Sequence, residues 1–432
     1  MQQSLIAAVS GIEANQTYLD VIGNNIANTA TTGYKGENPI FTDLLAEQIA
    51  GASAPTTGQS AGVDPIAVGA GVRVGAVTNN QSQGAIQQTN QPTDVAIQGA
   101  GFLVVAQQGQ QFYTRAGNLT LDANGDLATP TGALVQGWQA NAQGVITTNA
   151  PVGSLKIPSG QVMSAQATSS FTMGGNLPAW SGNGTPPVVT TTLNGFDSLG
   201  NTVPLTLTYT AVAATANQWT VQGTVPNGAG TANLWTTPPT IAFSPTTGEI
   251  ASITGVTANA DGSWTLPVTT MPPGFTFPAG DIWSVHFAPP GSLSAVTQFG
   301  GEQTAQLSSQ NGNAAGTLES FTVGGDGIIS GAFSNGLTTP IAQLALATFS
   351  NPTGLVDDGN VLYSASANSG QPAIGTSGTG GRGTFLGGAL EGSNVDLATQ
   401  LTDMIQAQEA YQADTKVVST TQATLQSLVQ MA

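Results

Sequence analysis

At 432 residues with 40% apolar side chains, the chain is long enough to bury cores for two to four domains. Only 7% of residues are charged, against ~25% in an ordinary soluble domain. The net charge of −17 therefore reflects scarcity of base: Lys35, Arg73, Arg115, Lys156, Arg382 and Lys416 are the only basic residues besides His286. Phosphate backbones require clustered Lys and Arg, so a nucleic-acid partner is excluded and an anionic membrane surface disfavoured.

There is no cysteine, which rules out disulfides and thiolate metal sites. No run of eighteen apolar residues exists, so no membrane insertion is expected. The first residues lack a basic n-region, and Glu13 and Asn15 fall where an apolar signal core would lie. Any export is therefore expected to proceed without a cleaved signal peptide.

In chain order, Leu5, Ile12, Leu19 and Ile26 stand seven apart, with Val9 and Ile22 between them. This spacing predicts a heptad helix over 1–30, ended by Asn24, Asn25, Asn28 and Thr31-Thr32-Gly33. Ile40 to Leu45 is expected as one or two further helical turns. The Gly-, Ala-, Ser- and Pro-rich stretch behind it is expected as extended linker, giving a linker region over 31–75. Strands are predicted at Val72–Val77, Val95–Ile97 and Gly101–Val105, with a hairpin at Asn124-Gly125 and a strand at 134–138.

From about 153 to 295 the composition becomes Thr-, Val- and Pro-rich, as in Val203–Thr210, Trp219–Val225 and Ile282–Phe287. That block is expected as an inserted outer β-domain. The pattern of the first β-region resumes at 321–323, 327–329 and 341–349, so a discontinuous middle β-domain is expected from 76–152 with 296–365. A second Gly-rich linker is placed at 366–392. Ser393 then opens a capping box with Asp396.

The remaining residues, 393–432, carry the longest regular pattern. Leu397, Met404, Tyr411, Val418 and Leu425 recur every seven residues. The companion row is Leu401, Gln408, Thr415, Gln422 and Val429, which makes a seam wet along its middle. Two narrow apolar stripes interrupted by amides suit terminal helices that find partners between chains; a helix pair inside one domain is the alternative. The fold class is α+β, mostly β, with the terminal helices forming a coiled-coil domain.

Three blocks of residues resemble the bacterial flagellar axial (rod and hook) protein family. They are Asn24-Asn25-Ile26-Ala27-Asn28-Thr29 with Thr32-Gly33-Tyr34-Lys35; Tyr113 to Leu119 with Val135-Gln136-Gly137-Trp138; and Gly388 to Glu391 with Ser393-Asn394-Val395-Asp396-Leu397. The family-motif positions are thus Asn24, Asn25, Asn28, Gly33, Tyr34, Arg115, Gly117, Asn118, Gly137, Asn394 and Asp396. Within the insertion, 176–179, Phe196 to Asn201 and 297–301 resemble hook rather than rod members. The resemblance implies a helical homopolymeric tube that transmits motor torque as a flexible joint. It implies further partners: rod proteins, hook cap and hook-filament junction proteins, the type III export apparatus and a chaperone. It also implies an extracellular place in the flagellum.

No chemistry competes with this reading. Asp122, Asn124 and Asp126 imitate an EF-hand start, but Leu127 replaces the glycine and Ala133 the final glutamate, so a hairpin turn is expected. Asp357-Asp358-Gly359 is expected as a turn. His286 is the only histidine, which leaves no multi-His metal site, and it stands in a strand-like run. No catalytic residue, cofactor site or metal site is assigned. Two other readings stay open: a distal-rod-like axial protein, and a secreted β-rich adhesin that uses exposed Trp219, Trp235 or Trp264.

Overall fold

The computed structural model describes residues 2–52, 62, 64–141, 144–157, 160, 162–227, 230–278 and 282–431. Two compact units emerge: residues 1–159, 320–331 and 338–432 form the first, and 160–319 with 332–337 the second.

The first unit is built on helices α1 (Gln2–Ala27) and α2 (Leu397–Met431). At 1.5 Å per residue they run about 39 and 52 Å. They lie antiparallel: Asn15 near the middle of α1 bonds Asp414, and Asn25 near its end bonds Gln400. The cap on α2 is Asp396, which accepts from Ala398 N and the Thr399 hydroxyl; Ser393 Oγ accepts only from Val395 N, outside the helix. The capping-box assignment to Ser393 is thereby corrected. Asp wins because its two oxygens satisfy two donors of the first turn.

Ile40 to Leu45 does not form helical turns. Glu37–Asp43 is a strand paired antiparallel with Val72–Asn79, and Glu47–Ala50 pairs with Ile66–Val68. In place of the expected linker there is a two-stranded ribbon laid on α1. Its local alternation is weak, and the β-bulge between Ile40 and Phe41 breaks the period that the sequence would have shown. Residues 53–61 and 63 of the expected linker lie outside the described residues.

The sheet of this unit runs in the order Thr338–Leu344, Leu134–Gln139, Phe102–Gln107, Gln110–Thr114, Leu362–Ser364, Val356–Asp357. Three consecutive strands from the first part of the chain are flanked in it on both sides by strands from the later part. Phe102, Tyr113, Trp138, Phe349 and Tyr363 fill one core, with Tyr113 edge-on to Phe349 at 4.8 Å. Asp122 Oδ1 accepts from the N–H groups of Asn124 and Asp126, making a hairpin turn of the EF-hand imitation. The Gly-rich stretch before α2 is also not linker: Ala373–Gly375, Thr384–Gly387 and Ala389–Glu391 pair with Leu346–Thr348, Val95–Gln98 and Ile86–Gln88.

The second unit holds a meander of Val188–Phe196, Thr202–Ala211, Gln218–Asn227, Thr240–Phe243 and Ile250–Ile253, and a second sheet centred on Ser170–Pro178. One apolar core takes side chains from both sheets. The unit's limits differ from 153–295. Gly153–Ser154 pairs with Gln136 and Gly137 in the first unit, while Val296–Phe299 and Gln306–Gln310 both pair with Ser170–Pro178. Trp219, Trp235 and Trp264 are 0%, 3% and 8% exposed. They are core residues, which removes the aromatic surface that an adhesin would need. His286 sits half-buried on Ser284–Phe287, with Nδ1 3.4 Å from the Thr265 hydroxyl.

Candidate assembly helices and their buried charge junction

On α1 the row turned to α2 passes through Ala8, Gly11, Asn15, Ile22 and Asn25. A Cβ placed on Gly11 would stand 2.5 Å from an Asp414 oxygen, so the helices approach closely there. On α2 the facing row is Gln400, Ala407, Asp414 and Thr421; Ala407 is 2% exposed. Small and polar side chains, with Ile22, therefore make the contact within one chain.

The apolar stripes fall beside this contact. Leu5, Ile12, Leu19 and Ile26 are half-buried and Val9 is exposed, whereas Ile22 is fully buried. Met404, Tyr411 and Val418 are half-buried, but Leu397, Leu401, Leu425 and Val429 are exposed, as are Ile405 and Val417. A 3.5-residue repeat on a helix has two sides, and the chain covers the less greasy one.

At the C-terminal end of α1, the elements of this unit meet in a polar junction. Glu391 accepts from Lys35 Nζ at 2.7 Å on one oxygen and from Arg115 Nη1 at 3.2 Å on the other. Neither the Lys35 nor the Glu391 side chain reaches solvent. Gly84 N–H also donates to Glu391, Lys35 donates to the Ser82 carbonyl, and Arg115 donates to the Gly99 carbonyl. Burial pushes the Lys35 ammonium below its ordinary pKa, against the hydrogen bond and charge of Glu391, which raise it.

Asn25 extends the junction into both helices. Its oxygen accepts from Tyr34 OH and Glu37 N, and its amide donates to the Glu37 carbonyl and Gln400. Burial, then the Glu37 and Asp357 carboxylates, push the Tyr34 hydroxyl up to about 12. Asn394 accepts from Gly36 N–H and donates to the carbonyls of Asn80 and Ser82.

The motif positions divide by location. Asn25, Gly33, Tyr34, Arg115 and Asn394 converge on the junction. Gly33 donates to the Glu391 carbonyl at φ +71°, where a side chain would strike the Arg115 main chain. Gly117 lies against Val95 and Gly137 against Gln343, each without room for a Cβ. Asn118 bridges to Asp94 through the main chain. Asn24 and Asn28 bond each other at the helix end, and Asp396 caps α2. Lys35 and Glu391 stand within the resembling blocks but are not among the motif positions singled out there. The signal for them is charge scarcity: in so uncharged a chain, a buried lysine requires a carboxylate.

Among the described residues, no group of three or more His, Asp and Glu could hold a metal ion. The geometry of the junction holds the two helices in place.

Family models match along the chain: "Flagella basal body rod protein" at 5–35, "Flagellar hook protein FlgE/F/G D1 domain" at 96–176, "Flagellar basal body protein FlaE D2 domain" at 187–313, and "Flagellar basal body rod FlgEFG protein C-terminal" at 386–431. The flagellar hook protein FlgE of Treponema pallidum is 35% identical, with 100% of both chains covered. The chain belongs to the flagellar hook protein family. The hook protein of Borreliella burgdorferi is 34% identical over 100% of both chains, and that of Escherichia coli K12 is 32% identical over 98% of each. The Helicobacter pylori hook protein FlgE2 structure shares the fold, with a TM-score of 0.51 at 14% identity over 69% of this chain and 98% of that one. This hook-family chain is a structural protein, and its junction lies where the first and last family models end and begin.

Proposed function

We propose that the chain is the subunit of a helical homopolymeric tube, the hook, which acts as a flexible universal joint carrying motor torque from rod to filament. The observation that carries this reading is the exposed apolar row on two paired helices: Leu397, Leu401, Ile405, Leu425 and Val429 on α2, with Ile6 and Val9 on α1. In water such a row costs about 25 cal/mol per Å2 left uncovered, so it drives association. A contact between unlike faces of successive copies does not close on itself and grows a tube.

The same reading makes rod, hook-cap and hook-filament junction proteins the neighbours in the axis, and the type III apparatus with a chaperone the export route, without a cleaved signal. The terminal helices with their seam residues Leu5 to Ile26 and Leu397 to Val429 form the polymerising domain. Electron microscopy of the concentrated, purified chain tests this. Curved hollow tubes support it, straight tubes favour a rod-like role, and monomers alone defeat it. Deleting both helices must abolish the tubes.

A further inference from the structure

Few cations serve this chain, and most of them are engaged. Lys35 and Arg115 grip Glu391, Arg382 donates to the carbonyls of Ala373 and Thr379, and Lys156 stands beside Asp122. The side chains of Arg73 and Lys416 make no ion pair or hydrogen bond among the described residues, and both residues are exposed.

Arg73 sits on the ribbon over α1. It pairs directly with Thr42, and the next pair on that face is Ile40 with Ala76. Ile40 is 49% exposed. The opposite face is occupied: Phe41 stacks edge-on against Tyr18 of α1 at 5.7 Å. The ribbon therefore presents an arginine beside an isoleucine, both uncovered.

A groove of matching chemistry lies elsewhere in the same unit. It is a shallow, open groove of about 460 Å3, with Leu119, Leu121, Pro130 and Leu390 as apolar lining and Gln91, Thr93, Asn118 and Thr120 as polar lining. Asp94 also lines it. That residue is 9% exposed, and its carboxylate has no hydrogen bond or ion pair among the described residues. The carboxylate opens to solvent in a groove of mixed polar and apolar lining, where a cation from outside the chain could reach it.

Arg73 of the same chain does not supply it. Val72 N–H donates to Ser10, whereas Asp94 accepts from Gly388, on the segment whose Glu391 carbonyl holds Gly33 past the other end of α1; the helix from Ser10 to Ala27 alone spans about 25 Å. A second copy would bring the same uncovered arginine and isoleucine.

We propose that Arg73 and Ile40 of one copy seat in the Asp94 groove of the next, head to tail. Guanidinium suits this role better than the Lys416 ammonium: it binds carboxylate in a planar fork, is less strongly hydrated, and here arrives with an apolar neighbour. The contact rests on the tube reading and adds to the helices a lock that sets register between copies.

The chain has no cysteine, so a double variant, Arg73→Cys with Asp94→Cys, carries only the two thiols needed. Treated as tubes with a short bis-maleimide, it should give a ladder of covalent multimers on a denaturing gel, and neither single variant should do so. Separately, Arg73→Asp and Asp94→Arg should each raise the critical concentration for assembly about tenfold at unchanged monomer melting, and the combined swap should restore it to within about threefold. Tubes of the double-cysteine chain without a ladder would overturn the proposal. So would a ladder from Lys416→Cys with Asp94→Cys in its place, or a swap no better than the single reversals. If the unmodified chain builds no tube at all, the tube reading fails first, and this contact fails with it.

Discussion

Lys35 Nζ stands 2.7 Å from Glu391 Oε1, across 356 positions of sequence, and both side chains are sealed from solvent. Lys35 follows α1 and Glu391 precedes α2, so this pair fixes where the two helices leave the sheet.

Removing one partner of a buried pair leaves the other charge stranded, which costs about 3–5 kcal/mol. Glu391→Ala strands two cations, Lys35 and Arg115, so its loss should lie at or above that range. Calorimetry should show the transition of the first unit moved strongly downward and that of the second unmoved. Equal shifts in both would place the charge network outside the first unit's stability.

Gly117 is tested by adding one methyl group. A Cβ there would lie 1.6 Å from the Val95 carbonyl oxygen, which is main chain on a strand whose Val95 N–H already donates to the Gly117 carbonyl. Gly117→Ala should cost more than about 4 kcal/mol, while Gly153→Ala, with nothing near its Cβ, should stay within about 0.5 kcal/mol. Denaturant midpoints of the two variants decide it.

Alkali should loosen the junction before it melts the rest. A tyrosine whose folded pKa is raised contributes stability that is whole below its ordinary value near 10 and is lost as the pH climbs through the folded value. For Tyr34 that window ends at about 12, because burial and then the Glu37 and Asp357 carboxylates disfavour the phenolate. Tyr34→Phe should flatten this part of the alkaline decline. Tyr113 and Tyr363, also raised by burial, should retain the remainder.

Acid should act on the second unit through Asp197. Burial alone would raise this carboxyl, but hydrogen bonds from Asn201, Thr276 and Leu199 hold it below the usual range. A depressed carboxyl contributes stability above its ordinary pKa that is lost as the pH falls through the folded one. Melting curves from neutral pH to about pH 2 should therefore fall less steeply for Asp197→Asn, which starts from a lower plateau.

Much of this is legible in the residues, for identifiable reasons. The helices and the strands at 95–107, 134–139 and 202–227 carry strong periods, and the structure places them there. The ribbon and the glycine-rich strands before α2 are not legible. Their pairing partners are remote, and glycine serves close approach: at Gly383 a Cβ would fall 2.2 Å from the Gln98 carbonyl. The apolar stripes are plain in the sequence, but not which side the chain uses, since that choice depends on Gly11 and Ala407 allowing close contact. The junction is half visible: its asparagines, its glycines and Glu391 stand in recognisable motifs, whereas nothing in the sequence shows that Glu391 is buried against Lys35 and Arg115.

The last prediction concerns the tube's stiffness. Gln408 and Gln422 lie on the exposed side of α2, in the row that carries Leu401 and Val429. If that row packs against neighbouring copies, the amides make sliding cheap, because a displaced amide finds a new partner more readily than a displaced leucine finds a new hole. Gln408→Leu with Gln422→Leu should then give tubes that still assemble but bend less, as measured by persistence length in micrographs. A doubly substituted chain as pliant as the original would show that compliance resides elsewhere, with the Arg73 ribbon as the next place to look.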